Sequence, residues 1–411
     1  MIKKISVQQL QLGMFLEGMC GSWMDHPFWR TRFKLEDPED LQRVLHSSVQ
    51  EVWIDTSKGL DVARGVHAET RDEVDSRIET QLGELSVLAS LEPEDQAVSF
   101  DQEIHRAAQI CLKSKQAITQ MLQEARMGQA IHQEDARALV NEISASITRN
   151  PSALISMARL KTADDYTYMH SVAVCALMVS LARQLNLDAQ QVREAGFAGL
   201  LHDIGKIVVP HNILNKPGRL TDHEFSVVRN HPSLGHQLLL TSGVDNPVVL
   251  DVCLHHHEKV DGTGYPEGLK GDRISLFAKM GAICDVYDAI TSDRPYKNGW
   301  DPSEAIHKMA EWSAGHFDIP VFQAFVRSIG IYPVGSLVRL TSGRLGVVVD
   351  HGRRSLLTPQ VKVFYSTVSK MRIPPQVVDL ATPGCKEKIV GRENPESWNF
   401  HDLNKLWMSW M

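Results

Sequence analysis

The chain has 411 residues, 43% of them hydrophobic and 23% charged, the profile of an ordinary globular protein long enough for two or three domains. A net charge of -7 creates no whole-protein field that would collect nucleic acid or anionic lipid, and leaves room only for a local basic pocket for phosphate. No run of about 18 apolar residues occurs, the start Met1-Ile2-Lys3-Lys4-Ile5 lacks the apolar core of a signal peptide, and the six cysteines are scattered without a paired spacing, so a reducing cytoplasm is the expected compartment.

Residues 1–62 mix short strand-like pieces (Lys4 to Val7, Met14 to Leu16, Val52 to Asp55) with one helix, for which Asp37 is the cap, Pro38 suits the first turn, and Glu39 and Asp40 favour the positive end of the dipole. A small α+β domain is expected, with His26-Pro27-Phe28-Trp29-Arg30 filling its core rather than binding a ligand. Residues 63–100 turn polar and acidic and read as a linker, partly helical or disordered. Ile104, Ala108, Cys111, Ile118, Leu122 and Ala125 then recur at helical spacing up to a stop at Gly128. This amphipathic helix leads into the next domain and is suited to pairing with a second copy of itself, a homodimer expectation.

From 130 to 330 the pattern is helical almost throughout. Capping boxes at Asp188 with Gln191 and at Thr221 with Glu224 open two helices, Asn246-Pro247 opens a third and Ser275 a fourth. The stretch from Tyr166 to Leu185 is apolar on nearly every side, so it should run through the domain centre. Cys175, Cys253 and Cys284 read as small buried hydrophobes in these helices. After Pro333 the period becomes two: Ser336 to Leu340, Leu345 to Asp350 and Val361 to Tyr365 predict three strands of a small β unit covering 331–411. Trp398, Phe400, Leu403, Leu406, Trp407 and Trp410 then form an apolar tail expected to pack on that unit.

The chemistry concentrates around Gly199-Leu200-Leu201-His202-Asp203-Ile204-Gly205-Lys206. A carboxylate and an imidazole beside buried leucines are costly without a partner, and a metal ion satisfies both. Further candidate ligands lie at His170, His231, the run His255-His256-His257, and Asp285, each at or near a helix of one bundle, a common way to build a metal site. Imidazole and carboxylate without thiolate suit iron, manganese, nickel or zinc in a reactive site more than a structural zinc. These groups are too many for one ion and suit two if Asp203 bridges. Two metals about 3.5–4 Å apart can clamp a phosphate and supply a nucleophile at neutral pH, which points to phosphoester hydrolysis.

His202-Asp203-Ile204-Gly205-Lys206 together with His256-His257-Glu258-Lys259-Val260-Asp261-Gly262-Thr263-Gly264-Tyr265-Pro266 resembles an HD-GYP phosphodiesterase, and the likeness continues from Asp285 through Arg294 to Lys297. The first 60 or so residues resemble the domain of unknown function often found ahead of such modules. What the resemblance implies is a mainly α fold, with an HD-type helical bundle over 101–330 including its leading helix, and hydrolysis of the bacterial second messenger cyclic di-GMP to linear pGpG. It implies metal ligands at His170, His202, Asp203, His231, His256, His257 and Asp285, with His255 a neighbour, and Asp203 and Lys206 as the catalytic groups. Arg294 and Lys297 match positions that hold the substrate phosphates. In the lip beyond His257, Gly262 and Gly264 permit close approach, Pro266 fixes the loop, and Tyr265 is placed to contact a guanine or ribose.

One position departs from the pattern. Members with a third metal carry Glu four residues before the first ligand histidine, where this chain has Tyr166. A phenol with a reference pKa near 10 is a poor ligand, so two divalent ions are expected, and slow onward cleavage of pGpG to GMP. Readings of another class are a non-catalytic cyclic di-GMP receptor or a module binding diguanylate cyclase domains, which a degenerate site would mark, and an HD-type hydrolase of another nucleotide, against which Tyr265 and the Arg294/Lys297 pair argue.

Overall fold

The computed structural model describes all residues except 22–31, 64, 88–97, 128, 130, 162–165, 215, 217–219, 294–298, 352–354, 401 and 409–411. The aromatic patch from His26 to Arg30, the stop at Gly128, the phosphate-binding candidates Arg294 and Lys297, and Trp410 therefore lie outside the described residues. The chain divides into two compact units, one of residues 1–84 with 307–316 and the other of 85–306 with 317–411.

In the first unit the strands β1 (Ile2–Ser6), β2 (Phe15–Met19), β3 (Phe33–Lys34), β4 (Glu51–Asp55) and β5 (Glu69–Thr70) form an antiparallel sheet in the order β3-β2-β4-β1-β5. Ile5 pairs with Val52 and Lys4 with Trp53 across β1 and β4. Helix α1 (Pro38–Leu45) starts where Asp37 accepts a hydrogen bond from the Glu39 amide at 2.9 Å, and it buries Val44 in the cluster of Ile5, Leu16, Leu35, Val52 and Ile54. The stretch expected as a linker carries β5 and helix α2 (Arg71–Val87), in which Val74 and Ile78 are fully buried. Its apolar residues are few but four apart, enough for one narrow stripe.

The second unit is a helical bundle: α3 (Phe100–Arg126), α4 (Gln133–Arg149), α5 (Pro151–Arg159), α6 (Tyr166–Gln184), α7 (Ala189–Leu201), α8 (His211–Leu214), α9 (Asp222–Arg229), α10 (His231–Thr241), α11 (Pro247–His255), α12 (Leu276–Thr291), the start of α13 (Pro302–His316), and α14 (Ile319–Ile329). The capping boxes at Asp188 and Thr221 form as the sequence predicts, and Asn246 and Ser275 cap α11 and α12. α6 packs against α3, α4, α5, α7, α12 and α14, and its residues from Val172 to Ala182 are buried. An all-apolar helix is thus surrounded, as its composition requires.

The same unit ends in an antiparallel sheet of β6 (Leu337–Leu340), β7 (Arg344–Asp350), β8 (Gln360–Ser366), β9 (Met371–Asp379) and β10 (Ile389–Arg392), in the order β10-β6-β7-β8-β9. Two short helices follow, α15 (Pro395–Trp398) and α16 (Leu403–Trp407). The aromatic tail packs on its own unit: Phe400 lies edge-on to Phe364 and Tyr365, Trp398 meets Tyr365, and the buried Trp407 meets Phe100 with ring centres 6.1 Å apart.

Candidate metal centre

Five segments of the second unit converge on one buried point. α6 carries His170, the residues just after α7 are His202 and Asp203, α10 begins with His231, α11 ends just before His256 and His257, and α12 carries Asp285 in its middle. The approach of α10 depends on Gly205, since a Cβ there would lie 1.9 Å from the His231 carbonyl oxygen and 2.6 Å from the Gly235 nitrogen. Backbone contact at that crossing brings Asp203 within reach of His231.

The Asp203 carboxylate is 4% exposed as a residue and divides its two oxygens. Oδ1 lies 3.1 Å from His231 Nε2 and 3.7 Å from His256 Nε2. Oδ2 lies 3.3 Å from His170 Nε2 and 3.5 Å from His202 Nε2, and also takes the Lys206 ammonium. Asp285 adds Oδ1 at 3.0 Å from His170 Nε2 and 3.9 Å from His202 Nε2, and Oδ2 at 3.8 Å from His257 Nδ1. Two sets of donor atoms result, each within 4.8 Å of one another: His170, His202 and Asp285 on one side, and Asp203, His231, His256 and His257 on the other. Donors bound at about 2.1 Å on adjacent corners of an octahedron sit roughly 3 Å apart, so these spacings fit shared cations.

The histidines are aimed by their other nitrogens. His202 Nδ1 donates to the Gly199 carbonyl at 2.8 Å, His231 Nδ1 to Val228 at 2.7 Å, and His256 Nδ1 to Val252 at 3.0 Å. Each bond fixes the tautomer and leaves the Nε2 lone pair facing the cluster. His170 Nδ1 uses a carboxylate instead, Asp288 Oδ2 at 2.6 Å, and that oxygen also accepts from the buried Lys161 Nζ at 2.5 Å. Sequence reasoning assigned no role to Asp288 or Lys161. Asp288 had a signal, one turn beyond Asp285 on the same helix face; Lys161 precedes α6 in a connection with no periodicity.

Protonation follows the same geometry. Burial opposes charge on Asp203 and Asp285, yet Lys206 and His202 hold the first, and His170 the second, well below the usual carboxylate range. Burial and the neighbouring His256 and His231 push His257 well below the ordinary imidazole value, and burial lowers His231. Burial works against a charge on His170 too, but Asp203, Asp285 and Asp288 around it raise it to about 10. Anionic carboxylates with neutral His231 and His257 are the donor state that a divalent cation takes up. His202 Nε2 and Asp203 Oδ1 are buried and make no hydrogen bond among the described residues. Orphaned polar atoms of this kind are rare in folded proteins, and here both face the cluster, so the donor set fits a divalent metal.

The lip beyond His257 is clamped from beneath. Both oxygens of the buried Glu258 accept backbone amides, Glu267 at 2.8 Å and Leu269 at 3.0 Å. Gly264 lies against the chain, where a Cβ would meet the Lys259 nitrogen at 2.4 Å, and Gly262 has φ +83°. The Tyr265 ring stacks on His257 with centres 4.7 Å apart, and the Arg229 guanidinium lies 4.6 Å from the centre of the Tyr265 ring. His255 stays outside both donor sets, with Nδ1 on Asp251 at 2.7 Å.

A helical bundle that gathers histidines and aspartates around a His-Asp pair defines an HD-type metal-dependent hydrolase. The comparisons give the particular family: residues 142–321 match the HD domain family and residues 2–136 match a domain of unknown function, DUF3391. The chain is 57% identical over 99% of its length, and 96% of the relative's, to the cyclic di-GMP phosphodiesterase PA4108 of Pseudomonas aeruginosa. It is 41% identical, over 36% of this chain and 39% of the relative, to the cyclic di-GMP phosphodiesterase response regulator RpfG of Xanthomonas campestris. A 3'3'-cGAMP-specific phosphodiesterase of Vibrio cholerae is 37% identical over 40% of this chain and 38% of its own. The protein belongs to the HD-GYP phosphodiesterase family.

Proposed function

We propose that the protein is a metal-dependent phosphodiesterase that opens cyclic di-GMP to linear pGpG and cleaves pGpG onward to GMP more slowly, acting in the cytoplasm. The observation that carries this reading is the Asp203 carboxylate, with one oxygen facing His231 and His256 and the other facing His170 and His202. The near full-length relative of the same named activity supports the substrate. His170, His202 and Asp285 would hold one ion and His231, His256 and His257 a second, with Asp203 shared. Iron or manganese suits these donors best, with nickel or zinc next. Bound divalent ions supply Lewis acidity toward the phosphate and make water acidic enough to attack it near neutral pH.

The chain's own groups do the rest. Lys206, on the Oδ2 side of Asp203 and 22% exposed, is positioned to turn from Asp203 to phosphate oxygens as negative charge grows on them. Gly262 and Gly264 let the lip approach the ligand, and Tyr265 offers its phenol rim to a guanine or ribose. Arg294 and Lys297 would hold phosphate by their match to the family pattern. Tyr166, four residues before His170 in sequence, takes the position of the carboxylate that the three-metal members carry, which favours two ions and accumulation of pGpG.

The test is turnover of cyclic di-GMP by anaerobically purified protein, with metal analysis and chromatography of products. Two metals per chain and pGpG as the early product are expected. Tight binding of cyclic di-GMP by metal-loaded protein without hydrolysis would replace the enzyme reading with a receptor, and three metals would overturn the count.

A further inference from the structure

We propose that Arg229 is a substrate-binding residue that receives the second phosphate of the cyclic dinucleotide, the one not being cleaved. The inference rests on the substrate reading above and adds a contact to it. Arg229 ends α9, two residues before His231, but the two side chains part: His231 is buried against Asp203, and Arg229 is exposed. The guanidinium lies over one part of the lip, the Tyr265 ring, which in turn stacks on His257. His257, Tyr265 and Arg229 thus form a series of contacts that leads from the buried donor cluster to an exposed guanidinium.

A cation at the C-terminal end of a helix has a bland role, complementing the dipole, but that role needs no aromatic partner from a distant loop. The exposed guanidinium keeps N–H donors to offer beside the ring. No ion pair or hydrogen bond joins it to a described residue. A cyclic dinucleotide brings two phosphodiester anions. The donor cluster and Lys206 face one of them, and the other calls for cations when it leaves water, a charge that Arg229 would supply beside the Arg294 and Lys297 already assigned to phosphate. A planar fork matches two phosphate oxygens at once, and the contact with Tyr265 places that fork at the lip.

The experiment compares Arg229→Ala and Arg229→Lys with the wild type, all full-length and metal-loaded. The ligands are cyclic di-GMP and GpG, a linear dinucleoside with both guanines and a single phosphodiester. For Arg229→Ala the KM for cyclic di-GMP should rise roughly tenfold or more, with kcat within about twofold and metal content unchanged, and Arg229→Lys should recover part of the loss. The inhibition constant of GpG should be the same in the wild type and in Arg229→Ala, because GpG has no second phosphate. Equal weakening of GpG would overturn the proposal, placing Arg229 on a base or on His231, and so would an unchanged KM or a loss of metal. Wild-type protein that hydrolyses bis(p-nitrophenyl) phosphate but not cyclic di-GMP would refute the substrate reading separately.

Discussion

Asp203 is the residue on which the site turns, because one side chain meets donors on both sides, from His231 Nε2 at 3.1 Å to His170 Nε2 at 3.3 Å. Replacing it by Asn keeps the shape and removes the anion, and an amide is a poor bridge between two cations. Asp203→Asn should lose metal and lower turnover by more than about tenfold, which is about 1.4 kcal/mol of barrier. The fold should survive, since Leu200, Leu201 and Ile204 around it remain buried; circular dichroism, metal analysis and kinetics check the three statements. A variant with the metal content of the wild type and more than a tenth of its rate would exclude a bridging role for Asp203. At this scale the candidate ligands were readable because each is a polar residue set in an apolar helical context. Lys161 was not, because its meaning arises only when the chain before α6 meets α12 at Asp288.

At the scale of elements, the lip and the central strand of the first sheet each hold to one buried carboxylate. Glu258 holds the Glu267 and Leu269 amides, and Glu258→Gln keeps one acceptor while turning the other into a donor that faces an amide. A buried unsatisfied amide costs about 1–3 kcal/mol. The variant should show faster hydrogen exchange at residues 267 and 269 and a higher KM for cyclic di-GMP; unchanged exchange would mean that the loop is held by other contacts. In the first unit, Glu311 accepts from Trp53 Nε1 at 2.7 Å and Cys20 Sγ at 3.3 Å and pairs with Lys308 at 2.7 Å. Burial opposes its ionisation, yet Lys308, Trp53 and Cys20 hold it below the ordinary 4.5. The unfolded chain therefore takes up the proton first, and the stability from this cluster is complete above that pH and is lost as pH falls through the lower native value. Acid should destabilise the wild type more steeply than Glu311→Gln in denaturant titrations below about pH 5, and parallel curves would assign the acid loss to other groups. The helix caps were readable from sequence, since a cap is a local contract between residues two or three apart. β9 was not: it mixes exposed Met371 and Val377 with two prolines and has no alternation to find.

For the whole molecule, periodicity separated the sheet-forming ends from the helical centre, but it does not assign long-range membership. Residues 307–316 belong to the first compact unit although they continue α13, whose start belongs to the second; α13 breaks at Ala314 and Gly315, well past the change of unit, so the helical stretch in which the change falls carries no mark of it. The donor cluster lies entirely in the second unit and ties together five of its segments. A cation bound there is present in the folded unit and absent from the unfolded chain, so at a free concentration of 100 times its Kd it adds about 2.7 kcal/mol to the stability of that unit. Chelation should therefore speed hydrogen exchange in α6, α11 and α12 and at the turn from Ile204 to Val208, all of which carry or border donors. The amides that join β1 to β4 in the first unit hold no donor and should exchange as before. Restoring manganese or iron should return the slow exchange together with activity. Uniform acceleration through both units would mean that the cation stabilises the chain by a route other than these donors, and protection unchanged by chelation would mean that the bundle is preformed and the cation contributes to chemistry alone.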